Sequence, residues 1–433
     1  MNYPLISEYV EAIKLAEDNF EELNYLRPVL DSDGNPVMSS GNFAVVFKMQ
    51  DVQSGKLYAV RCFHREQAGR AESYKLIEEE LNNVSSPYLV SFRYIERELF
   101  VDSEQTKETE FPVLLMDWVE GVTLDKYLRE HITDKYALEM LAYNFSQLAM
   151  WLMPQPFAHG DLKPDNILVR NDGSLVLVDY DGMFIPAMQG QTAREIGSPD
   201  FRHPQRTEDD FNERIDDFSV ISILLSLKLI AMHPEYLDEY GASDRLLFSA
   251  NDYADIANCQ LLKAVFPSED TELNRLASLF LLCHSAKNLA NVSFVLFSVE
   301  NPQERLSTKV TSEDLANAWV DEYGVEYSQD RKRLLRCTNQ KIINYMILEG
   351  IEVICDHAFI NCTVLKGITI PNSVVSIGKG AFEECSALNN ITIPYSISLI
   401  DDRTFRGCAD LKIITIPDSV TSIGKDTFFL QRL

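Results

Sequence analysis

Hydrophobic and polar positions alternate differently in successive stretches of the chain. Over residues 1–26, Tyr9, Ile13, Ala16 and Phe20 recur at helical spacing with acidic residues between them, which predicts an amphipathic helix packed outside the next domain. From about 27 to 118 the apolar runs shorten to strand length. Asp33-Gly34 and Ser54-Gly55 sit between such runs and predict hairpin turns. A polar stretch from Glu66 to Asn83 interrupts the strands and predicts a helix. From about 123 to 300 helical patterns dominate, broken by one short hairpin over Ile167–Val178 whose turn is Asn171-Asp172-Gly173. The longest apolar stretch, Phe218 to Met232, is interrupted by Lys228. It falls short of the ~20 residues that span a bilayer, so it predicts a buried helix.

From about 340 the chain repeats itself. Phe359, Phe382, Phe405 and Phe428 are each 23 residues apart, as are Cys362, Cys385 and Cys408, and Pro371, Pro394 and Pro417, with Leu348 in the preceding proline slot. Each unit carries an apolar triplet such as Ile368-Thr369-Ile370, then proline, then an Ile-Gly pair such as Ile377-Gly378. A fixed period of this size with alternating isoleucine is the signature of a leucine-rich-repeat solenoid. The last unit runs to Leu433, which predicts a short solenoid with an apolar end. Its cysteine column is expected to be small buried side chains, not disulfides or metal ligands. Residues 301–340 are polar and join the two regions, with a helix start at Ser312-Glu313-Asp314 ahead of Leu315, Ala318 and Trp319.

Composition narrows the picture. The 433 residues are enough for two or three domains, and 46% apolar with 24% charged residues is an ordinary soluble composition. Lys+Arg of 39 against Asp+Glu of 66 gives a net charge of -27, which argues against nucleic acid as a partner. Met1 to Phe20 contains acidic residues throughout and no apolar core of a leader, so no signal peptide and no membrane segment are expected. The eight cysteines are scattered without a CxxC pair, which fits a reducing cytoplasm and gives zinc little support.

Several stretches carry groups suited to chemistry on phosphates. His159-Gly160-Asp161-Leu162-Lys163-Pro164-Asp165-Asn166 packs an acid, a cation and an amide into one loop, and Asp179-Tyr180-Asp181-Gly182 comes thirteen residues past Asn166. Gly197-Ser198-Pro199-Asp200-Phe201-Arg202-His203-Pro204 and Asp216-Asp217-Phe218-Ser219 come next. Upstream lie Leu114-Leu115-Met116-Asp117-Trp118-Val119-Glu120-Gly121, Tyr58-Ala59-Val60-Arg61, and Ser39-Ser40-Gly41-Asn42-Phe43-Ala44-Val45-Val46.

In this order and spacing, residues 27–300 resemble the eukaryotic-like Ser/Thr protein kinases, in a divergent form typical of bacteria. Residues 341–433 resemble BspA-type leucine-rich repeats, also common in bacteria. The resemblance implies an α+β, bilobal kinase-like fold followed by a short solenoid. The N-lobe would cover 27–118 and the C-lobe 119–300, with a helical extension over 1–26 and a linker or cap over 301–340. It implies ATP and Mg²⁺ as cofactors. Asp161 would orient or deprotonate the acceptor hydroxyl, and Lys163 would offset phosphoryl charge. Asn166 and Asp179 would hold the metal. Gly41 would lie in the phosphate loop, Val46 and Ala59 would sandwich adenine, Met116 would be the gatekeeper, and Asp117 and Val119 would offer backbone groups to the base. Asp216 would anchor the catalytic-loop backbone.

The chain departs from the family at several places, and Tyr180 takes the phenylalanine place of the metal motif. Gly160 replaces an arginine that binds an activation-segment phosphate. Asp181 stands where glycine is expected. Only Gly41 remains of the loop glycines. Arg61 occupies the place of the phosphate-binding lysine, for which Lys48 is an alternative. Glu72, Glu78, Glu79 and Glu80 all compete to be the helix glutamate that pairs with Arg61. The segment between Gly182 and Gly197 is short, about 14 residues, with Thr192 and Ser198 as candidate phosphosites. Three functions stay open: an active Ser/Thr protein kinase using the repeats to recruit a protein, a nucleotide-binding pseudokinase acting as an interaction module, and a small-molecule kinase.

Overall fold

A computed structural model describes residues 3–41, 43–67, 69–302, 307–397, 399–417, 419–420 and 422–429. Asn42 of the glycine-bearing stretch and the terminal Leu433 lie outside them. The chain divides into two compact units, Met1–Val299 and Glu300–Leu433.

The first unit opens with α1 (Ile6–Lys14) and the single turn α2 (Ala16–Asn19), not one helix to residue 26. The chain leaves helical geometry at Leu15, and Phe20 bridges Leu99 in extended form. The first lobe is an antiparallel sheet of β1 (Leu26–Pro28), β2 (Met38–Ser40), β3 (Ala44–Asp51), β4 (Leu57–Phe63), β5 (Phe92–Phe100) and β6 (Glu110–Asp117), in the order β1-β3-β4-β6-β5, with β2 also on β3. The predicted turns hold: Gly34 and Gly55 have φ of 81° and 73°, which a side chain with a Cβ disfavours. Strand alternation gives this sheet two apolar faces. Val45, Phe47, Met49, Val60, Cys62 and Val113 pack under Tyr9, Ala12, Ile13 and Ala16 of the extension. The other face carries Ala44, Phe63, Phe92 and Leu114 and meets α3 (Arg70–Leu81) and the second lobe.

That second lobe starts at β7 (Val122–Thr123), α4 (Leu124–Glu130) and α5 (Lys135–Leu152), then the hairpin β8 (Ile167–Val169) and β9 (Leu175–Leu177). The apolar run forms α6 (Asp217–Met232), buried on every side, as a helix without a polar stripe must be. Short helices α7 (Tyr236–Tyr240), α8 (Ala250–Ala254) and α9 (Gln260–Val265) and the longer α10 (Thr271–Ala286) complete it. Among the described residues no helix is long and apolar enough to cross a membrane.

In the second unit, α11 (Ser312–Ala316) is capped by Thr311, whose side chain accepts from the Asp314 N–H. Antiparallel β10 (Trp319–Val320), β11 (Val325–Tyr327) and β12 (Arg333–Cys337) come next. Two parallel ladders then advance with the 23-residue period. One is β13 (Asn344–Met346), β15 (Gly367–Thr369), β17 (Asn390–Thr392) and β19 (Ile413–Thr415). The other continues from β12 through β14 (Val353–Ile354) and β16 (Ser376–Ile377), with β18 (Leu399–Ile400) on β20 (Ser422–Ile423). Between them Phe359, Phe382, Phe405 and Phe428 stack with centroids 5.5, 5.6 and 5.8 Å apart. Cys362, Cys385 and Cys408 form the expected buried column as free thiols, and two of them donate to Phe359 O and Phe382 O of the preceding repeat.

Candidate active site

Strand register gathers part of the site. Val46 lies opposite Arg61, Arg61 opposite Leu114, and Ala59 opposite Met116. Alternation therefore puts Val46, Ala59, Arg61 and Met116 on the face that meets the second lobe, with residues 45, 60 and 62 turned toward α1. Gly41 is at the exposed β2–β3 turn, where its N–H donates to Ala44 O at 2.9 Å and its carbonyl accepts from His64. Asp117 ends β6, its carboxylate held by Lys56 (2.6 Å) and Ser91 (3.0 Å) and its N–H donating to Ser91 O. Val119 lies in the connection to the second lobe and is half-buried. Lys48 pairs with Glu120 at 2.7 Å and lies over the Trp118 ring, so it is engaged at the connection between the lobes.

The loop after α5 gathers the rest. Asp216, at the start of α6, accepts the backbone N–H groups of His159 (2.5 Å) and Gly160 (2.9 Å), the anchoring that the sequence anticipates. Arg206 donates to Gly160 O at 2.8 Å, and His159 Nε2 to Val178 O at 2.9 Å. Gly160 has φ 83°, and a Cβ there would lie 1.8 Å from Gly182 O. No side chain fits at this position of the loop as folded: the Gly182 carbonyl lies where it would begin.

Asp161 is held from three sides. Lys163 Nζ donates to its Oδ2 at 2.6 Å, Asn166 Nδ2 to its carbonyl at 2.8 Å and its Oδ2 at 3.2 Å, and the Ser198 N–H to its Oδ1 at 3.0 Å. Ser198 is half-buried with its hydroxyl 3.5 Å from Asp161, while Thr192 is exposed. Burial opposes the charge on Lys163, but its bond to Asp161 outweighs this and raises its pKa.

Asp179 sits at φ 65° after β9, and its Oδ1 accepts from Arg61 Nη1 at 2.7 Å. Arg61 Nη2 donates to Asp181 Oδ2 at 2.7 Å, and Tyr74 of α3 hydrogen-bonds to both Arg61 and Asp181. Burial disfavours the Asp179 charge, yet the Arg61 guanidinium more than offsets it and lowers the pKa. Expectation and structure part here. Among the described residues no glutamate of α3 pairs with Arg61, and Glu78 accepts the Tyr94 N–H instead. The buried stripe of α3 is Arg70, Ser73, Tyr74, Ile77 and Leu81, so helical spacing turns its acids away. Aromatic rings link the halves of the site: Tyr74 to Phe92, Phe92 to Tyr180, Tyr180 to His159.

Three contributors carried no signal in the sequence patterns: Arg206, Tyr74 and Glu195. Glu195 lines a cavity of about 420 Å³ beside Asp161, with Arg194 and Glu208. Burial, then Asp181, Asp179 and Asp161, push its pKa up, and Gln67 donates to it at 3.1 Å.

Residues 35–256 match the family model of the protein kinase domain. The chain belongs to the protein kinase domain family. Residues 336–433 match the BspA type leucine rich repeat region. The chain is 21% identical over 209 residues to the cAMP-dependent protein kinase catalytic subunit of Dictyostelium discoideum, covering 47% of this chain and 30% of that protein. It is 25% identical over 219 residues to serine/threonine-protein kinase sgk-1 of Caenorhabditis elegans, covering 49% of this chain and 45% of that protein. Against serine/threonine-protein kinase Sgk3 of Rattus norvegicus it is 27% identical over 215 residues, covering 48% and 41%. The chain thus spans less than half the length of these relatives.

Proposed function

We propose that the kinase domain transfers the γ-phosphoryl of ATP to a serine or threonine hydroxyl of a protein, with the repeats as a protein-interaction module. The observation that carries this is the Asp161 carboxylate, held by Lys163, Asn166 and the Ser198 N–H. An acid fixed at that point accepts the proton of an acceptor hydroxyl, and Lys163 balances charge next to it. The donor set suits a hard cation: Asn166 spends its Nδ2 on Asp161 and keeps its amide oxygen, and Asp179 spends Oδ1 on Arg61 and keeps Oδ2. ATP with Mg²⁺ supplies the phosphoryl group and the counter-charge on it. Asn166 and Asp179 would hold the metal. Val46, Ala59 and Met116 give an apolar slot for adenine, with backbone groups of Asp117 and Val119 at its edge and Gly41 in the turn above the phosphates. The relatives' names favour serine or threonine as acceptor.

One observation favours a second reading, a nucleotide-binding pseudokinase acting as a scaffold. Arg61, in the phosphate-binding place, already forks two carboxylates. A radiolabelled phosphotransfer assay on generic protein substrates separates the two, with Asp161→Asn beside the native protein. The proposal expects transfer that falls at least ~100-fold in Asp161→Asn while Mg-ATP binding persists. Mg-ATP binding without any transfer by the native protein overturns it in favour of the scaffold.

A further inference from the structure

The guanidinium of Arg61 is buried, and a buried charge needs a partner that stays with it. Its two carboxylate partners are unequal. The side chain of Asp179 is 41% exposed and that of Asp181 only 6%. Asp179 is the partner that solvent reaches, and so on the kinase reading the one that can trade Arg61 for a cation. Asp181 has no such exit: it is enclosed, and the Tyr74 hydroxyl donates to its other oxygen. The acids of α3 are directed elsewhere by the stripe that buries Tyr74 and Ile77.

We propose that Asp181 is a positioning residue that holds Arg61 in the nucleotide cleft, the task expected of a helix glutamate. The idea rests on the kinase reading. Arginine at position 61 and aspartate at position 181 then belong together. The planar fork sends separate N–H groups, Nη1 and Nη2, to the carboxylates on either side of Tyr180. When Asp179 turns to a metal, Arg61 keeps Asp181 through Nη2 and offers Nη1 to a phosphate. The anchor lies in the same segment as the metal-facing Asp179, and α3 contributes only a neutral hydroxyl.

Two measurements on the full chain test this. The first is a double-mutant cycle of Arg61→Met and Asp181→Asn in denaturant unfolding without nucleotide, with Glu79→Gln as control. Coupling is expected between 61 and 181, and none between 61 and 79. The second is Mg-ATP affinity by calorimetry. Asp181→Asn is expected to weaken it at least ~10-fold, Asp181→Glu to recover part of the loss, and Tyr74→Phe, which removes only the hydroxyl, to weaken it ~2–4-fold; this last variant serves if Asp181→Asn does not fold. Equal Mg-ATP affinity in the native protein and in Asp181→Asn, or in Tyr74→Phe where it stands in, overturns the Asp181 role and leaves the kinase reading intact. Coupling between 61 and 181 in a native protein that binds no Mg-ATP sinks the kinase reading, and the positioning role with it.

Discussion

At the scale of single residues, backbone crossings and burial decide more than residue type does. Gly160 faces the Gly182 carbonyl in a left-handed conformation. Gly160→Ala should cost at least ~1–2 kcal/mol from the backbone alone, and more from the clash, read as a lowered Tm. Asp217 is buried at the start of α6, where its carboxylate accepts the Leu289 N–H at 2.6 Å, and burial pushes its pKa up to about 7. A folded pKa above the unfolded one means that the folded state binds the proton more tightly. This contribution to stability is full below about pH 4 and fades as pH rises through about 7. Relative to the native protein, Asp217→Asn, which keeps an acceptor oxygen, should be more stable at pH 8 than at pH 5 in chemical denaturation. An equal difference at both pH values removes Asp217 as the cause. Asp181 teaches the complementary lesson. Two departures from the family pattern, Arg61 and Asp181, were visible in the sequence, but nothing in spacing says that residues 120 apart form one ion pair.

At the scale of elements, periodicity carried the reading well where one face is buried. The acidic N-terminal stretch does become a helix whose apolar side, Tyr9, Ala12 and Ile13, covers the first-lobe sheet. Tyr9 also donates its hydroxyl to Phe63 O at 2.6 Å. Ile13→Ala should therefore cost about 2–5 kcal/mol of the first unit's stability in denaturant unfolding. A loss below ~0.5 kcal/mol would show the extension to be loosely attached. The helical pattern breaks at Leu15 and again at Phe20, after which buried Glu98 accepts the N–H groups of Glu22 and Leu23. That contact spans 75 residues of chain and is invisible to a local window. The α3 helix shows the same limit. Its existence was legible from its polarity, but the face it buries is set by the elements that pack on it.

At the scale of the whole molecule, the 23-residue period is enough to announce a repeating stack. Phe382 is fully buried, with Phe359 and Phe405 stacked on either side. Phe382→Ala should remove about 3–5 kcal/mol from the second unit. In scanning calorimetry its transition should fall while Mg-ATP still raises that of the kinase unit. Loss of the Mg-ATP shift in that variant would show that the two units do not behave as separate bodies. Left-handed backbone also recurs with the period, at His357, Gly380, Arg403 and Asp426. Four different residue types fill that slot, so the repeat holds this backbone conformation whether or not glycine is there.

By itself the sequence determined the order of the elements, the family of the first unit, the repeat of the second and the set of polar groups in the Asp161 loop. All of these are written in local spacing or in a period, and local spacing survives without a fold. Only the tertiary structure decided which charges meet. The Arg61 pair with Asp179 and Asp181 and the close approach of the Gly182 carbonyl to Gly160 join segments that are apart in the chain. Their energies come from burial, which exists only once the two lobes have closed around them.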